Sequence, residues 1–154
     1  WRAYLSTQAT DAAPAVNARD RIGSGPWHNA QGTLIAANVA DLHGDVERDR
    51  NNIFKDTALD EAGNVVAGRG DQPNQHDILT GSDSHVNAWP AGEDRTCMNW
   101  TSDSPDARGW VGHHDRQGGG NTSWNSVHIT RGGCHAEGLQ ATGGSGRFYC
   151  FAAE

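Results

Sequence analysis

The stretch RFYCFA at residues 147–152 sets Phe148, Tyr149 and Phe151 around Cys150 and reads as a strand. Two more strand candidates precede it: TCMNWT at 96–101, which carries Cys97, and SVHIT at 126–130. Gly-rich connections, QGGGN at 117–121 and TGGSG at 142–146, lie between them. The third cysteine is Cys134. No two cysteines have the close spacing of a zinc knuckle, and His135 adjoins Cys134 without forming a spaced ligand pair. One disulfide plus one odd cysteine is therefore the expected arrangement. The odd one is either a free thiol or the partner of a cysteine upstream of Trp1, in a chain whose N-terminal stretch is expected to precede Trp1.

Working outward, WRAYLS at 1–6 alternates as a half-buried strand, and the Ala-rich residues 7–17 suit a short helix before an extended entry. Residues 23–27 (GSGPW) form a turn that delivers an aromatic to the core, and residues 33–42 read as a short helix or an irregular buried segment. Residues 53–66 read as a hairpin around the turn at 60–64, and residues 67–92 as a long irregular stretch. With 154 residues, 35% hydrophobic content, 20 Gly and 5 Pro, the chain suits one α+β domain in which irregular structure is the largest component. Six Trp compensate for a core short of Leu and Ile.

Twelve basic residues stand against 19 acidic ones, a formal charge of −7, and Lys55 is the only lysine. That balance excludes nucleic acid as a partner and disfavours anionic membranes and sulfated polysaccharides; cations are the better electrostatic match. No apolar run approaches the roughly 18 residues of a membrane span, so no membrane insertion is expected.

The order of cysteines and aromatics resembles the end of the C-type lectin fold, in which an aromatic strand carrying the last cysteine closes the domain. The resemblance is strongest to the endostatin domain of collagens and to bacterial endostatin-like proteins. It rests on Arg2 to Ser6, Val16-Asn17 with Asp20, Pro26-Trp27, the hairpin at 59–66, Gly81-Ser82-Asp83, Cys97 to Trp100 and Tyr149-Cys150, all in the family's order. It implies a C-type-lectin-like, loop-rich fold of short antiparallel strands and one or two short helices over residues 1–154. It also implies a Cys97–Cys134 disulfide, with Cys150 paired to a cysteine upstream of Trp1, and a secreted or surface-exposed protein.

Sugar-binding members coordinate calcium through a Glu-Pro-Asn or Gln-Pro-Asp loop and a Trp-Asn-Asp strand, because calcium takes several hard oxygens. Here Gln72-Pro73-Asn74 and Trp124-Asn125 are partial counterparts, but Ser126 stands where an aspartate is expected and Trp124 is too far from Cys134. Gln72, Asn74, Trp124 and Asn125 are thus candidate ligand-binding residues, with loop and core packing as the alternative. A denser group is Gly112-His113-His114-Asp115-Arg116 with Trp124-Asn125-Ser126-Val127-His128. His113, Asp115 and His128 are a candidate transition-metal set, or else a hydrogen-bonded network that fixes an irregular loop.

Endostatin's zinc aspartate corresponds to Asp20, whose histidine partners would precede Trp1, and an ion pair with a neighbouring arginine is the alternative there. The acidic run Asp41, Asp45, Glu47 and Asp49 lacks the spacing of a calcium loop and reads as a solvated segment. Arg69-Gly70-Asp71 spells an integrin tripeptide of low specificity. No nucleophile elbow, zincin helix or phosphate loop is present, so no catalytic residue is assigned.

The function expected is a non-enzymatic extracellular binding or adhesion module that recognises a protein or glycan through its long loops, with calcium or zinc as the possible cofactor. The arginine-rich heparin face of endostatin does not carry over to so acidic a chain. A metal-dependent hydrolase built on His113, Asp115 and His128 is the alternative from another class, and a structural subunit of an extracellular assembly is the third.

Overall fold

The computed structural model describes residues 1–44, 51–116 and 123–153. Asp45, Glu47 and Asp49 of the acidic run and the QGGGN connection lie outside the described residues. The architecture is α+β, with short helices and small sheets joined by long irregular segments. Strand β1 (Arg2–Ala3) pairs antiparallel with β8 (Cys150–Phe151), so the first and last strands close on each other with Ala3 opposite Cys150. A second ribbon joins β2 (Trp27–His28) to β3 (Leu34–Ala36). The main sheet has the order β6-β5-β4-β7, built from β4 (Asp77–Leu79), β5 (Trp110–His113), β6 (His128–Ile129) and β7 (Gly144–Phe148).

The β1/β8 pairing brings aromatics from both ends of the chain into one core. Tyr4 lies 4.8 Å from Trp124 and 5.9 Å from Phe151 between ring centroids, and Ile22, Trp27, Ile35, Leu42 and Ile53 complete the cluster. Each aliphatic side chain fully buried there contributes roughly 1.5–3 kcal/mol before entropy is counted. Helix α1 (Val39–His43) starts where the Asn38 side chain accepts the Asp41 N–H, and it directs Leu42 into the core.

Residues 7–17 form no helix. They fold back on themselves through bridges Thr7 to Val16 and Thr10 to Ala13, because Pro14 and the Thr10 side chain favour a turn over Ala helix propensity. The hairpin expected at 53–66 reduces to one bridge, Leu59 to Val65, around a loop in which Asp60 accepts the N–H groups of Ala62 and Asn64. The same device recurs at Asp83, which accepts from His85 and Asn87 inside the Ser82 to Ala88 bridge. Gly63 supplies the left-handed residue in the first loop; Val86 takes that conformation in the second, with its side chain buried in the core as the offset.

The strand expected at 96–101 is instead a single left-handed helical turn, α2 (Cys97–Trp100), with φ between 50° and 67° at all four residues. Such a turn costs roughly 1–2 kcal/mol per residue and needs external clamps. The Cys97–Cys134 disulfide anchors its start. Asn99 Oδ1 accepts the Gln8 N–H at 2.8 Å while Asn99 Nδ2 donates to Gln8 O, and Trp100 Nε1 donates to Ser6 O at 2.8 Å. Cys97, Ala107 and Cys134 with Trp100 form a second small core beneath it. Helix α3 (Ala136–Gln140) follows the disulfide and leads into β7. Cys150 is unpaired and exposed.

Candidate metal centre

The main sheet is mixed and not wholly antiparallel as expected, since β7 joins β4 in parallel; the antiparallel pairing of β5 with β4 and β6 assembles the site. Asp77 lies directly opposite His113, and Val111 directly opposite His128. Val111 and His113 are two apart on one strand, so pleating puts Asp77, His113 and His128 on the same face of the sheet. Gly112 is what lets β5 run there: a Cβ on it would sit 1.9 Å from Trp124 O, where the chain crosses the opposite face.

Asp77 Oδ1 lies 3.0 Å from His113 Nε2 and 3.5 Å from His128 Nε2, and the two Nε2 atoms are 3.2 Å apart. Those separations are close to the edge of about 3.3 Å between donors that each sit about 2.0–2.1 Å from a tetrahedral ion. Asp77 is only 3% exposed, and both its carboxylate oxygens lack a hydrogen bond of acceptable geometry: the imidazoles are near enough for ion pairs but are not aligned on it. The two imidazoles lie within hydrogen-bonding distance of each other, yet neither is aligned on the buried Asp77 carboxylate, and the three donor atoms crowd one point, as the ligands of a cation do. His128 Nδ1 lies 3.0 Å from Ile129 O; donation to that carbonyl leaves the Nε2 lone pair facing the site. Two imidazoles and one carboxylate suit a zinc-type ion and not calcium, which prefers an all-oxygen shell.

A second grouping, His76 with His113 and Asp115, shares His113. It is the poorer one. The His76 and His113 rings are stacked at 4.0 Å with 14° between their planes, so an ion in the plane of one lies well off the plane of the other. Asp115 is also occupied: its Oδ2 accepts the Arg69 N–H and its Oδ1 is 3.3 Å from His76 Nδ1. Of the three residues expected from sequence, His113 therefore belongs to both groupings, whereas His128 joins it with Asp77 and Asp115 joins it with His76, so the three do not meet at one point.

Electrostatics follow from this packing. Burial pushes the Asp77 carboxyl upward, but the His113 and His128 imidazoles, at ion-pair distance, outweigh it and hold the group at about 2. The Asp77 carboxylate raises His128 above 6.5, whereas burial lowers His76 and His114 below it.

The other candidates are dispersed. Gln72 and Asn74 line a cleft of about 500 Å³ with Gln75, Gln140, Thr142 and Gly143. Trp124, at 1% exposure, is a core residue, and Asn125 is buried, its backbone carbonyl accepting from Thr80 Oγ1 at 2.6 Å. Neither shares the cleft with Gln72 and Asn74, because the Trp124 segment crosses beneath β5. Asp20 accepts from Asn17 Nδ2 at 2.9 Å. Asp71 of the Arg69-Gly70-Asp71 sequence is held by Lys55 Nζ at 2.7 Å and by the Gly68 N–H. Among the described residues, no helix is long and apolar enough to cross a membrane.

Comparison with family models, with curated proteins and with solved structures returns no match.

Proposed function

We propose that this domain is an extracellular binding module of endostatin-like, C-type-lectin-like fold whose binding face is organised by a divalent transition metal, zinc or a close analogue, on Asp77, His113 and His128. The observation that carries this reading is the buried Asp77 carboxylate, without a well-formed hydrogen bond, 3.0–3.5 Å from two convergent Nε2 atoms. The Cys97–Cys134 bridge supports an oxidising environment. The test is metal analysis of the purified domain after dialysis against limiting zinc. One zinc per chain is expected, falling to background in Asp77→Asn and in His128→Ala; zinc that stays at the wild-type level in both variants rejects the site.

A three-donor set with an open position is also what metal-assisted hydrolysis uses. His113 and His128 are 17% and 29% exposed, which favours access of water and substrate to such an ion. Zinc-dependent turnover of activated esters or phosphoesters, abolished by Asp77→Asn, would move the protein from binding module to hydrolase.

A further inference from the structure

The proposed ion would sit between a buried carboxylate and the solvent boundary. Asp77 forms the floor, and the partly exposed His113 and His128 form the rim, so the remaining coordination position points outward. Among the described residues no fourth donor reaches it: His76 Nε2 is 3.3 Å from Asp77 Oδ1, but its ring is stacked on His113 and out of line with the ion.

Charge decides what fits there. A divalent ion, one carboxylate and two neutral imidazoles leave one net positive charge, and Arg131 adds positive potential beside His128. Asp115 opposes this only in part, since its two oxygens face Arg69 N–H and His76. The neighbouring surface is neutral and rich in amides. Gly143, in the wall of the 500 Å³ cleft, has no side chain where the His76 ring approaches: a Cβ would lie 3.2 Å from His76 Nε2. Gly144, also in that wall, pairs with Asp77. Gln72, Asn74, Gln75, Gln140 and Thr142 line the cleft, and none is ionisable. Arg147 reaches Gln75 Oε1 at the edge.

We infer that the open position takes a carboxylate oxygen of a peptide ligand, and that the adjoining amide-lined cleft holds the ligand's backbone. An anionic oxygen neutralises the ion's excess charge. Side-chain amides, each both donor and acceptor, match the alternating N–H and C=O groups of an extended peptide. This inference rests on the metal reading above.

Cobalt(II) in place of zinc gives a direct readout, because its visible bands report coordination. The cobalt-loaded domain is titrated with acetate, with a short blocked peptide containing one glutamate, and with the same peptide carrying glutamine. Acetate and the glutamate peptide should perturb the bands saturably and the glutamine peptide should not. The glutamate peptide should bind about tenfold more tightly than acetate, equivalent to about 1.4 kcal/mol from the cleft contacts. That advantage should shrink in Gln72→Ala and Gln140→Ala, which leave the ion's ligands intact. Bands that ignore both carboxylates, respond equally to the glutamine peptide, or respond to acetate alone overturn the peptide-carboxylate assignment while leaving the metal site standing. Failure of cobalt to bind overturns both.

Discussion

Replacing Asp77 by asparagine removes a charge with almost no change in shape, and its effect separates the two contributions the carboxylate makes. Without metal, His113 and His128 hold the carboxyl at about 2 against 3.8 for the free side chain. That difference corresponds to about 2 kcal/mol of stability at neutral pH, at about 1.4 kcal/mol per tenfold change in proton affinity. Because the folded value is depressed, this stability is fully present above 3.8 and is lost as pH falls toward 2. With zinc at a hundredfold excess over its dissociation constant, the wild type gains about a further 2.7 kcal/mol. The assay is reversible unfolding of both proteins, each with chelator and with zinc. In chelator the variant should lose about 2 kcal/mol, which is about 4–8 °C in Tm for a domain of this size. Zinc should stabilise only the wild type. Equal stabilisation of both by zinc, or a variant more stable than wild type in chelator, would refute the reasoning: the first puts the ion elsewhere, the second means the imidazoles do not compensate the buried charge.

The remaining expectations concern acid sensitivity, the disulfide and the strand beneath the site. His76 and His114 are held neutral by burial, so as pH drops below 6.5 the unfolded chain takes up protons the fold refuses and stability falls. His128 contributes in the opposite sense, since its raised value adds stability below 6.5 that disappears as pH rises through its folded value. Thermal unfolding of chelated protein should show net destabilisation on acidification, with a shallower slope in His114→Gln. Opening the Cys97–Cys134 bridge, which spans a sequence separation of 37, should cost about 4 kcal/mol on the chain-entropy model; denaturant midpoints of Cys97→Ser/Cys134→Ser against wild type measure it. Gly112→Ala drives a methyl to 1.9 Å from Trp124 O and should cost about 4 kcal/mol or more, seen as loss of cooperative unfolding or of soluble protein.

Part of the candidate site could be read along the chain. His113 and His128 stand at the inner ends of two segments joined by a Gly-rich connection, and neighbouring antiparallel strands bring such positions together. Asp115 was the natural carboxylate to add because it follows His113 closely. The strand ends at His113, however, and the turn at 114–115 sends Asp115 toward His76 and Arg69 instead. The clue to Asp77 was an acidic residue heading the apolar pair Ile78-Leu79 directly after His76, an uncommon place for a carboxylate with no task.

Local chemistry accounts for the difference in legibility elsewhere too. Alternation around Tyr4 and Phe151, the Asp-capped turns at 60 and 83 and the Gly-rich connections are short-range patterns, and sequence determines them because each depends on residues a few positions apart. The sequence also determined the α+β class, through the local patterns of its segments, and the unfavourable balance for polyanions, through its composition. Only the tertiary structure decided that TCMNWT turns left-handed, because its clamps are Gln8, Ser6 and Cys134. It likewise decided that Trp124 belongs to the core and that Asp77 meets His113, because strand register is set by packing across the whole sheet and one residue of slip would have turned Asp77 to the other face.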